Sequence, residues 1–303
     1  MTLMRIAVTG RTGQVAQSLL ERGRSAGVDI VTIGRPEVDL ARPGDLQSAL
    51  SELKPHAVVN AAAYTAVDLA ESEPDRAYEV NCLGAAAVAA SATKLNIPVL
   101  HLSTDYVFDG CLDRPYREDD PTNPTSIYGE TKLSGEMAVA AANVNHVILR
   151  TAWVYSPFGK NFVRTMLSLA GERTEISVVS DQRGTPTSAL DIADAILIIA
   201  NNLIAQPTAP QLRGLFHMTG GGETTWAEFA TAIFENSNAL GGPTARVNPI
   251  PTSGYPTLAR RPANSRLDNS RLGEVHGLRL PHWRHSVRAC IERLVKRDFK
   301  GLS

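Results

Sequence analysis

The length, composition and charge of this chain exclude several classes of protein. Of its 303 residues, 43% are hydrophobic and 20% are charged, so the chain has enough apolar material for a buried core. Its 30 Lys and Arg nearly balance 31 Asp and Glu, which argues against a dedicated nucleic-acid binder. No apolar run reaches the roughly 18 residues of a membrane span, and we expect no signal peptide and no membrane partner.

The cysteines indicate the cellular compartment. Cys82, Cys111 and Cys290 are odd in number and far apart along the chain. This spacing fits neither a disulfide framework nor a zinc site. Free thiols suit a reducing environment, so we expect a cytoplasmic protein without a bound metal.

Short apolar runs alternate with helical patterns in the first half of the chain, as in stacked βαβ units. The pattern predicts strands over residues 5–9, 30–33, 57–60, 98–102 and 146–155. It predicts helices over residues 14–25, 44–53, 71–92 and 126–142. Such apolar strands are typical of a sheet that is covered on both faces. The predicted fold class is therefore α/β, a Rossmann-type doubly wound parallel sheet.

The second half of the chain has a looser pattern. It predicts helices over residues 161–170, 189–202 and 225–236, a strand over 215–218, and a proline-rich loop region from 243 to 262. We expect residues 1–155 to form a first domain and residues 156–303 mainly a smaller, interleaved C-terminal domain. A helix near 188–202 is expected to return to the first domain.

The last 58 residues are basic. Residues 246–303 hold twelve Lys or Arg against four Asp or Glu, a local net charge of +8. Two interpretations stay open, namely a solvated basic surface or an electrostatic attraction for an anionic small molecule.

A glycine turn lies between the first predicted strand and the first predicted helix. Its G-x-x-G-x-x-A spacing allows close backbone approach, and the helix N-terminus offers free N–H groups to a pyrophosphate. We therefore predict a dinucleotide cofactor held by Gly10, Arg11, Thr12, Gly13, Gln14 and Val15. The second strand is followed by Arg35 rather than by the acidic residue of a strict NAD site, and Arg11 lies nearby. These arginines favour NADPH, with NADH as the alternative, while Asp39 and Leu40 could hold the adenine.

A tyrosine and a lysine stand four residues apart in the helix predicted over 126–142. Tyr128 and Lys132 share one helix face, and a nearby cation is expected to lower the pKa of a phenol. Such a pair can exchange a proton with an alkoxide. Thr104 follows the fourth strand, where ligands of open α/β sheets bind.

These motifs resemble, in identity and order, the extended short-chain dehydrogenase/reductase family. They are Gly10-x-x-Gly13, Asn60-Ala61-Ala62-Ala63, Asn81, Ser103-Thr104-Asp105 and Tyr128-x-x-x-Lys132. Residues 103–108, 150–155, 181–187 and 261–267 narrow the resemblance to the dTDP-4-dehydrorhamnose reductases. The resemblance covers almost the whole chain. It implies an NAD(P)-binding domain over residues 1–155 and a substrate-binding domain mainly over 156–303.

The resemblance implies an activity and a set of site residues. The activity is reduction of the C4 ketone of dTDP-4-dehydro-L-rhamnose to dTDP-L-rhamnose, with hydride from NADPH or NADH. Tyr128 would protonate the forming oxygen, Lys132 would bind the nicotinamide ribose and lower the tyrosine pKa, and Thr104 would hydrogen-bond the reacting oxygen. Asp105 and Trp153 would contact the sugar, and arginines near 260–266 the diphosphate. Further cofactor contacts are implied for Gly13, Gln14, Val15, Asp39, Leu40, Ala63, Tyr64 and Thr65.

One departure from the family concerns a metal ion. Some members hold Mg²⁺ across a dimer interface with acidic residues, where this chain has Ser18 and Leu190. Asp191 and Asp194 lie nearby in sequence. We therefore expect no bridging metal, and either a monomer or a metal-free homodimer.

Other activities remain open at this point. A sugar-nucleotide dehydratase needs a glutamate after Thr-Asp, but Tyr106 stands there. A sugar-nucleotide epimerase or another sugar-nucleotide reductase is a further alternative. A non-catalytic, NADP-binding regulatory subunit like the methionine adenosyltransferase beta subunit is the remaining one.

Overall fold

A six-stranded parallel sheet forms the centre of the computed structural model, which describes residues 3–298. The first half of the chain contains β1 (Arg5–Thr9), α1 (Gln14–Ala26), β2 (Asp29–Ile33), α2 (Leu46–Leu53), β3 (Ala57–Asn60), α3 (Val67–Ala70), α4 (Pro74–Tyr78), α5 (Ala85–Lys94), β4 (Val99–Thr104), α6 (Ile127–Ala142) and β5 (His146–Thr151). The second half contains β6 (Val154–Tyr155), α7 (Phe162–Ala170), β7 (Glu175–Val179), β8 (Arg183–Gly184), β9 (Thr187–Ser188), α8 (Ala189–Ala205), β10 (Gly214–His217), β11 (Thr224–Thr225), α9 (Trp226–Asn238), β12 (Arg246–Ile250), α10 (Ser270–His276) and α11 (Trp283–Asp298).

The order of the strands predicts a crevice at the carboxyl ends of the central strands. The order is β10-β5-β4-β3-β1-β2, and all neighbours are parallel. The chain goes from β1 to β2 on one side and then to β3 on the other, so the direction of winding reverses at β1. Ligands of open α/β sheets bind beyond the carboxyl ends of the strands at such a reversal. The α/β fold class with a parallel sheet is confirmed.

Both faces of the sheet are buried, because helices cover each of them. Successive side chains of β1 point to opposite faces. Ile6 and Val8 pack with α1 and α8, whereas Ala7 packs with α2 and α5. Helix α8 therefore covers the sheet beside α1. Within residues 3–298, none of the helices is long and apolar enough to cross a bilayer.

Two predicted elements are interrupted in the structure. The predicted helix over 71–92 starts at Pro74 and passes through a π-helical segment, Glu79–Gly84, before α5 begins. The predicted strand over 146–155 ends at Thr151, because Trp153 adopts a positive φ of 48° that a strand cannot continue through.

A second apolar cluster lies outside the sheet and joins α7, α9 and α11. It also receives Ile176 and Val178 of β7, which pairs in parallel with β12. Neither strand was predicted from the sequence. β12 contains Pro249, which argues against a strand, but both strands of a two-stranded sheet are edge strands, where proline is tolerated. The division into domains at residue 155 stays a prediction.

Candidate functional site

A cavity of about 700 Å³ lies at the carboxyl ends of the sheet strands. Its walls come from the chain segments that follow β1, β2 and β3, together with the end of β4 and the start of α6. The position is the one that the reversal of strand order predicts. A cavity of this size lies in the range that ligand sites occupy.

The glycine turn forms one wall of the cavity. Gly10 has a φ of +89°, a conformation that residues with side chains rarely adopt, and a Cβ added there would lie 3.5 Å from the Ala62 Cβ. Gly13 caps α1, and a Cβ added there would meet open space. The first N–H groups of α1 have no partner within the helix, so they can donate to a phosphate. The amide of Gln14 donates to Val154 O (3.3 Å) and accepts from Ser156 Oγ (2.9 Å), which ties the turn to β6.

Every residue that the sequence predicts to bind the cofactor lines this cavity. They are Gly10, Arg11, Thr12, Gly13, Gln14, Val15, Arg35, Asp39, Leu40, Ala63, Tyr64, Thr65 and Lys132. Two cationic residues of the wall, Arg76 and Lys160, were not predicted from the sequence. Neither belongs to a motif with a fixed spacing, so only the folded structure brings them to the cavity.

The cavity wall near the end of β2 carries positive and negative side chains. Arg11 Nη1 lies 2.8 Å from Glu37 Oε2, and Arg35 is exposed at the same wall. The Glu37 carboxylate was not singled out from the sequence. It partly neutralises the guanidinium that we expect to attract a 2′-phosphate.

Tyr128 lies in the first turn of α6, which begins because the Ser126 hydroxyl accepts a hydrogen bond from the Gly129 N–H (3.2 Å). Its ring meets the ring of Tyr106 edge to face at 5.6 Å. Burial raises the pKa of Tyr128, while a hydrogen bond with Thr104 acts in the opposite direction. The phenol is therefore protonated at neutral pH.

Lys132 is buried, and residues of β4 hold its amino group. Its Nζ donates to Leu102 O (2.6 Å) and lies 3.4 Å from His101 Nε2. Burial lowers the pKa of Lys132 to about 8, and Glu136 acts in the opposite direction. The predicted lowering of the Tyr128 pKa is therefore not what this structure shows, because burial of the phenol dominates.

Thr104 and Asp105 are buried beside Tyr128. Thr104 Oγ1 donates to Asp105 Oδ1 (3.0 Å) and accepts from the Tyr106 N–H (3.2 Å). Burial raises the pKa of Asp105 to about 6, against hydrogen bonds from Ser265 and Thr104. Among the described residues, Asp105 Oδ2 has no hydrogen-bond partner.

The indole of Trp153 is held between two partners. It stacks on Trp226 at 3.6 Å between ring centroids, and Gly184 packs against its other atoms. Its positive φ re-aims the chain between β5 and β6. The predicted contact of Trp153 with the sugar stays a prediction.

Asn81 connects the cavity wall to α6. Its Oδ1 accepts from the Tyr64 N–H (2.8 Å), and its Nδ2 donates to Tyr64 O (3.2 Å) and to Thr131 Oγ1 (3.1 Å). The π-helical segment brings Asn81 to this position. The side chain therefore fixes the loop that follows β3.

The arginines near 260–266, which were predicted to contact the diphosphate, differ in whether their guanidinium groups are already bonded within the fold. Arg266 is buried and bonds to Glu223 (2.7 Å) and Asn264 (2.8 Å), so it serves the fold. Arg261 pairs with Asp68 at 2.6 Å and reaches Tyr106 OH at 3.4 Å. The basic segment is thus partly neutralised by carboxylates.

The residues at the family's metal position do not fit a metal ion. Ser18 donates to Gln14 O (2.8 Å), and Leu190 has no ligand atom. Asp191 accepts from Ser286 Oγ (2.5 Å), and Asp194 pairs with Arg22 (3.2 Å). Across residues 3–298 there is no cluster of three or more His, Cys, Asp or Glu that could hold a metal.

Comparison with known proteins places the chain among related sequences and structures. Residues 4–296 match the family described as RmlD substrate binding domain. A protein of Sinorhizobium fredii named dTDP-4-dehydrorhamnose reductase is 49% identical over 96% of this chain and 98% of its own length.

Two solved structures carry the same name. The one from Clostridium acetobutylicum has a TM-score of 0.87 and 37% identity, and covers 96% of this chain and 99% of its own. The one from Bacillus anthracis, in complex with NADP, has a TM-score of 0.88 and 33% identity, and covers 96% of this chain and 100% of its own. This chain therefore belongs to the RmlD substrate binding domain family, which confirms the family that its motifs predicted.

Proposed function

We propose that this chain reduces the C4 ketone of dTDP-4-dehydro-L-rhamnose to dTDP-L-rhamnose with NADPH, and that Tyr128 donates the proton. The observation that carries the proposal is the placement of Tyr128 and Lys132 on the wall of the cavity that the glycine turn also lines. A relative with 49% identity over 98% of its own length bears the name of this reductase. The three cysteines are free thiols, which supports a cytoplasmic location.

The cavity residues fit a dinucleotide. The open space at Gly13 and the free N–H groups of α1 suit its diphosphate. Arg11 and Arg35 suit a 2′-phosphate, and a relative with 33% identity is described in complex with NADP. When bound, the nicotinamide supplies the hydride.

The chain's own residues supply the proton and the positioning. The buried phenol of Tyr128 keeps its proton at neutral pH and can donate it to the oxygen that gains charge as the ketone is reduced. The Thr104 hydroxyl lies beside that phenol and can hydrogen-bond the same oxygen. Lys132, anchored by Leu102 O, is placed to bind the ribose, and Asp105 and Trp153 are the proposed sugar contacts.

The test is turnover of the dTDP-linked 4-keto sugar, followed by oxidation of NADPH. Tyr128→Phe removes the donated proton, so we expect turnover to fall by about 100-fold or more while NADPH affinity stays near that of the wild type. Tyr78→Phe, on the exposed surface of α4, is the matched control.

Two results would contradict the proposal. Near-normal turnover in Tyr128→Phe would remove the proton-donor role. No turnover by the wild-type protein, with intact NADPH binding, would favour a non-catalytic regulatory subunit or a different sugar nucleotide.

A further inference from the structure

A chain of buried hydrogen bonds links the end of β1 to Lys132. Thr9, Asn60, His101 and Lys132 are each no more than 2% exposed. The Ala62 N–H donates to Thr9 Oγ1 (3.1 Å), and Thr9 Oγ1 donates to Asn60 Oδ1 (2.6 Å). Asn60 Nδ2 lies 2.9 Å from His101 Nδ1, and His101 Nε2 lies 3.4 Å from Lys132 Nζ. Neither Asn60 nor His101 has a part in the proposed reaction so far.

The direction of each hydrogen bond in this chain follows from the Ala62 N–H, which is the donor at the β1 end. Because Thr9 Oγ1 accepts the Ala62 N–H, its own proton is free for Asn60, and the distance of 2.6 Å is typical of an O–H···O bond. Asn60 must then turn its N–H₂ group towards His101. His101 Nδ1 therefore accepts a hydrogen bond, which fixes the tautomer of the ring.

The tautomer of His101 determines which group faces the amino group of Lys132. Burial lowers the pKa of His101 well below its usual value, so the ring is neutral. A neutral imidazole that accepts at Nδ1 carries its proton on Nε2. Lys132 Nζ thus faces an N–H group, which can donate to an uncharged amine but cannot accept from an ammonium.

We propose that His101 is a positioning residue that turns its Nε2–H towards Lys132, favours the uncharged amine there, and so makes the Lys132 ammonium a stronger acid. The Lys132 amino group then lies between the Leu102 carbonyl, which accepts from it, and the His101 Nε2–H, which donates to it. This inference rests on the proposed roles of Tyr128 and Lys132.

Other charged groups surround Lys132 and could change its titration. On α6, Glu136 favours the ammonium, and Glu136 is itself paired with Arg150 of β5 (2.7 Å). Tyr128 lies one turn before Lys132 on the same helix, and His146 of β5 acts electrostatically on His101. The experiment must therefore separate His101 from these neighbours.

The chain offers a near-isosteric variant that reverses the tautomer. In Asn60→Asp, a carboxylate still accepts from Thr9 but can only accept from His101, so the ring proton moves to Nδ1 and Nε2 accepts from the ammonium. His101→Gln removes the ring. His146→Gln is the matched control, because His146 is bonded to Asn143 O (2.6 Å) and, among the described residues, shares no hydrogen bond with Lys132.

Two NMR readouts report on the proposal without turnover. Ring ¹⁵N shifts give the tautomer of His101, and ¹³Cε-labelled lysine gives the titration of Lys132, one of only six lysines, assigned through Lys132→Arg. We expect the proton on Nε2 in the wild type and a Lys132 midpoint near its pKa of about 8. Asn60→Asp and His101→Gln should raise that midpoint by about one pH unit or more, and His146→Gln should leave it in place. The alkaline limit of kcat/KM should move with the midpoint.

Each alternative outcome has a separate meaning. A wild-type proton on Nδ1, or an unchanged Lys132 midpoint in both folded variants, would overturn the inference. Wild-type turnover by Lys132→Met would instead remove the proposed role of Lys132 and leave the NMR results as they stand.

Discussion

At the scale of single residues, the buried carboxyl of Asp105 should make the stability of the fold depend on pH. Its pKa of about 6 in the fold exceeds the ordinary value of 3.8, because the carboxyl is buried. The native state therefore holds a proton that the unfolded chain has lost between about pH 4 and pH 6, and stability falls as pH rises through this window. The size of the effect is about 3 kcal/mol at most.

The corresponding prediction is a gain of stability in Asp105→Asn. Removing the buried charge should raise the free energy of unfolding at pH 7.5 by about 1 kcal/mol or more and flatten its dependence between about pH 4 and pH 6. The same variant should lose activity if Asp105 contacts the sugar. Denaturant titrations at several pH values measure both slopes, and equal slopes in variant and wild type would contradict the prediction.

Glu37 is the residue that we expect to limit the preference for NADPH. Glu37→Gln removes the carboxylate that lies 2.8 Å from Arg11, so the guanidinium becomes free for a 2′-phosphate. We expect NADPH to bind about two- to five-fold more tightly, with NADH little changed. Arg11→Gln should act in the opposite direction. Calorimetric titration with both cofactors measures the ratio, and an equal change for NADH would refute the assignment.

At the scale of the elements, a substitution beside the break between β5 and β6 tests how the structure holds Trp153. A Cβ at Gly184 would lie 2.4 Å from Cε2 of the Trp153 indole, so Gly184→Ala must displace the ring. We expect a loss of about 1–3 kcal/mol in the free energy of unfolding and a raised KM for the sugar nucleotide. Gly44→Ala, where a Cβ meets open space, is the control. An unchanged KM would argue against a sugar contact at Trp153.

The break between β5 and β6 also shows which structural features cannot be predicted from the periodicity of the sequence. The strands from Arg5 to Thr9 and from Ala57 to Asn60 are predicted to the residue, because apolar runs flanked by polar residues leave one solution. The turn at Trp153 and the π-helical segment at Glu79–Gly84 depend on packing with Trp226 and with α6, which are distant in sequence. Local pattern carries no information about such partners.

For the whole molecule, ligand linkage gives a prediction that needs no substrate. If NADPH fills the cavity, a concentration of about 100 times Kd should stabilise the fold by about 2.7 kcal/mol and raise Tm by about 5 °C. Gly10→Val, which forces a φ of +89° on a β-branched residue, should weaken this shift. A full shift in the variant would mean that NADPH binds elsewhere.

The candidate site was predictable in its motifs but not in its electrostatics. The glycine turn and the pair Tyr128–Lys132 have fixed spacing, and the cavity gathers them. The charge states could not be predicted, because the burial of Lys132 and the ring of His101 follow from tertiary packing. Arg76 and Lys160 were missed for the same reason.

The central sheet also has a consequence for synthesis on the ribosome. Its last strand, β10, is made only after residue 213, yet it pairs with β5, which is complete at Thr151. A nascent chain that ends at residue 155 thus exposes an unpaired, apolar edge, a feature that promotes intermolecular pairing. Expression of residues 1–155 alone should give aggregates, whereas extension through His217 supplies the missing partner.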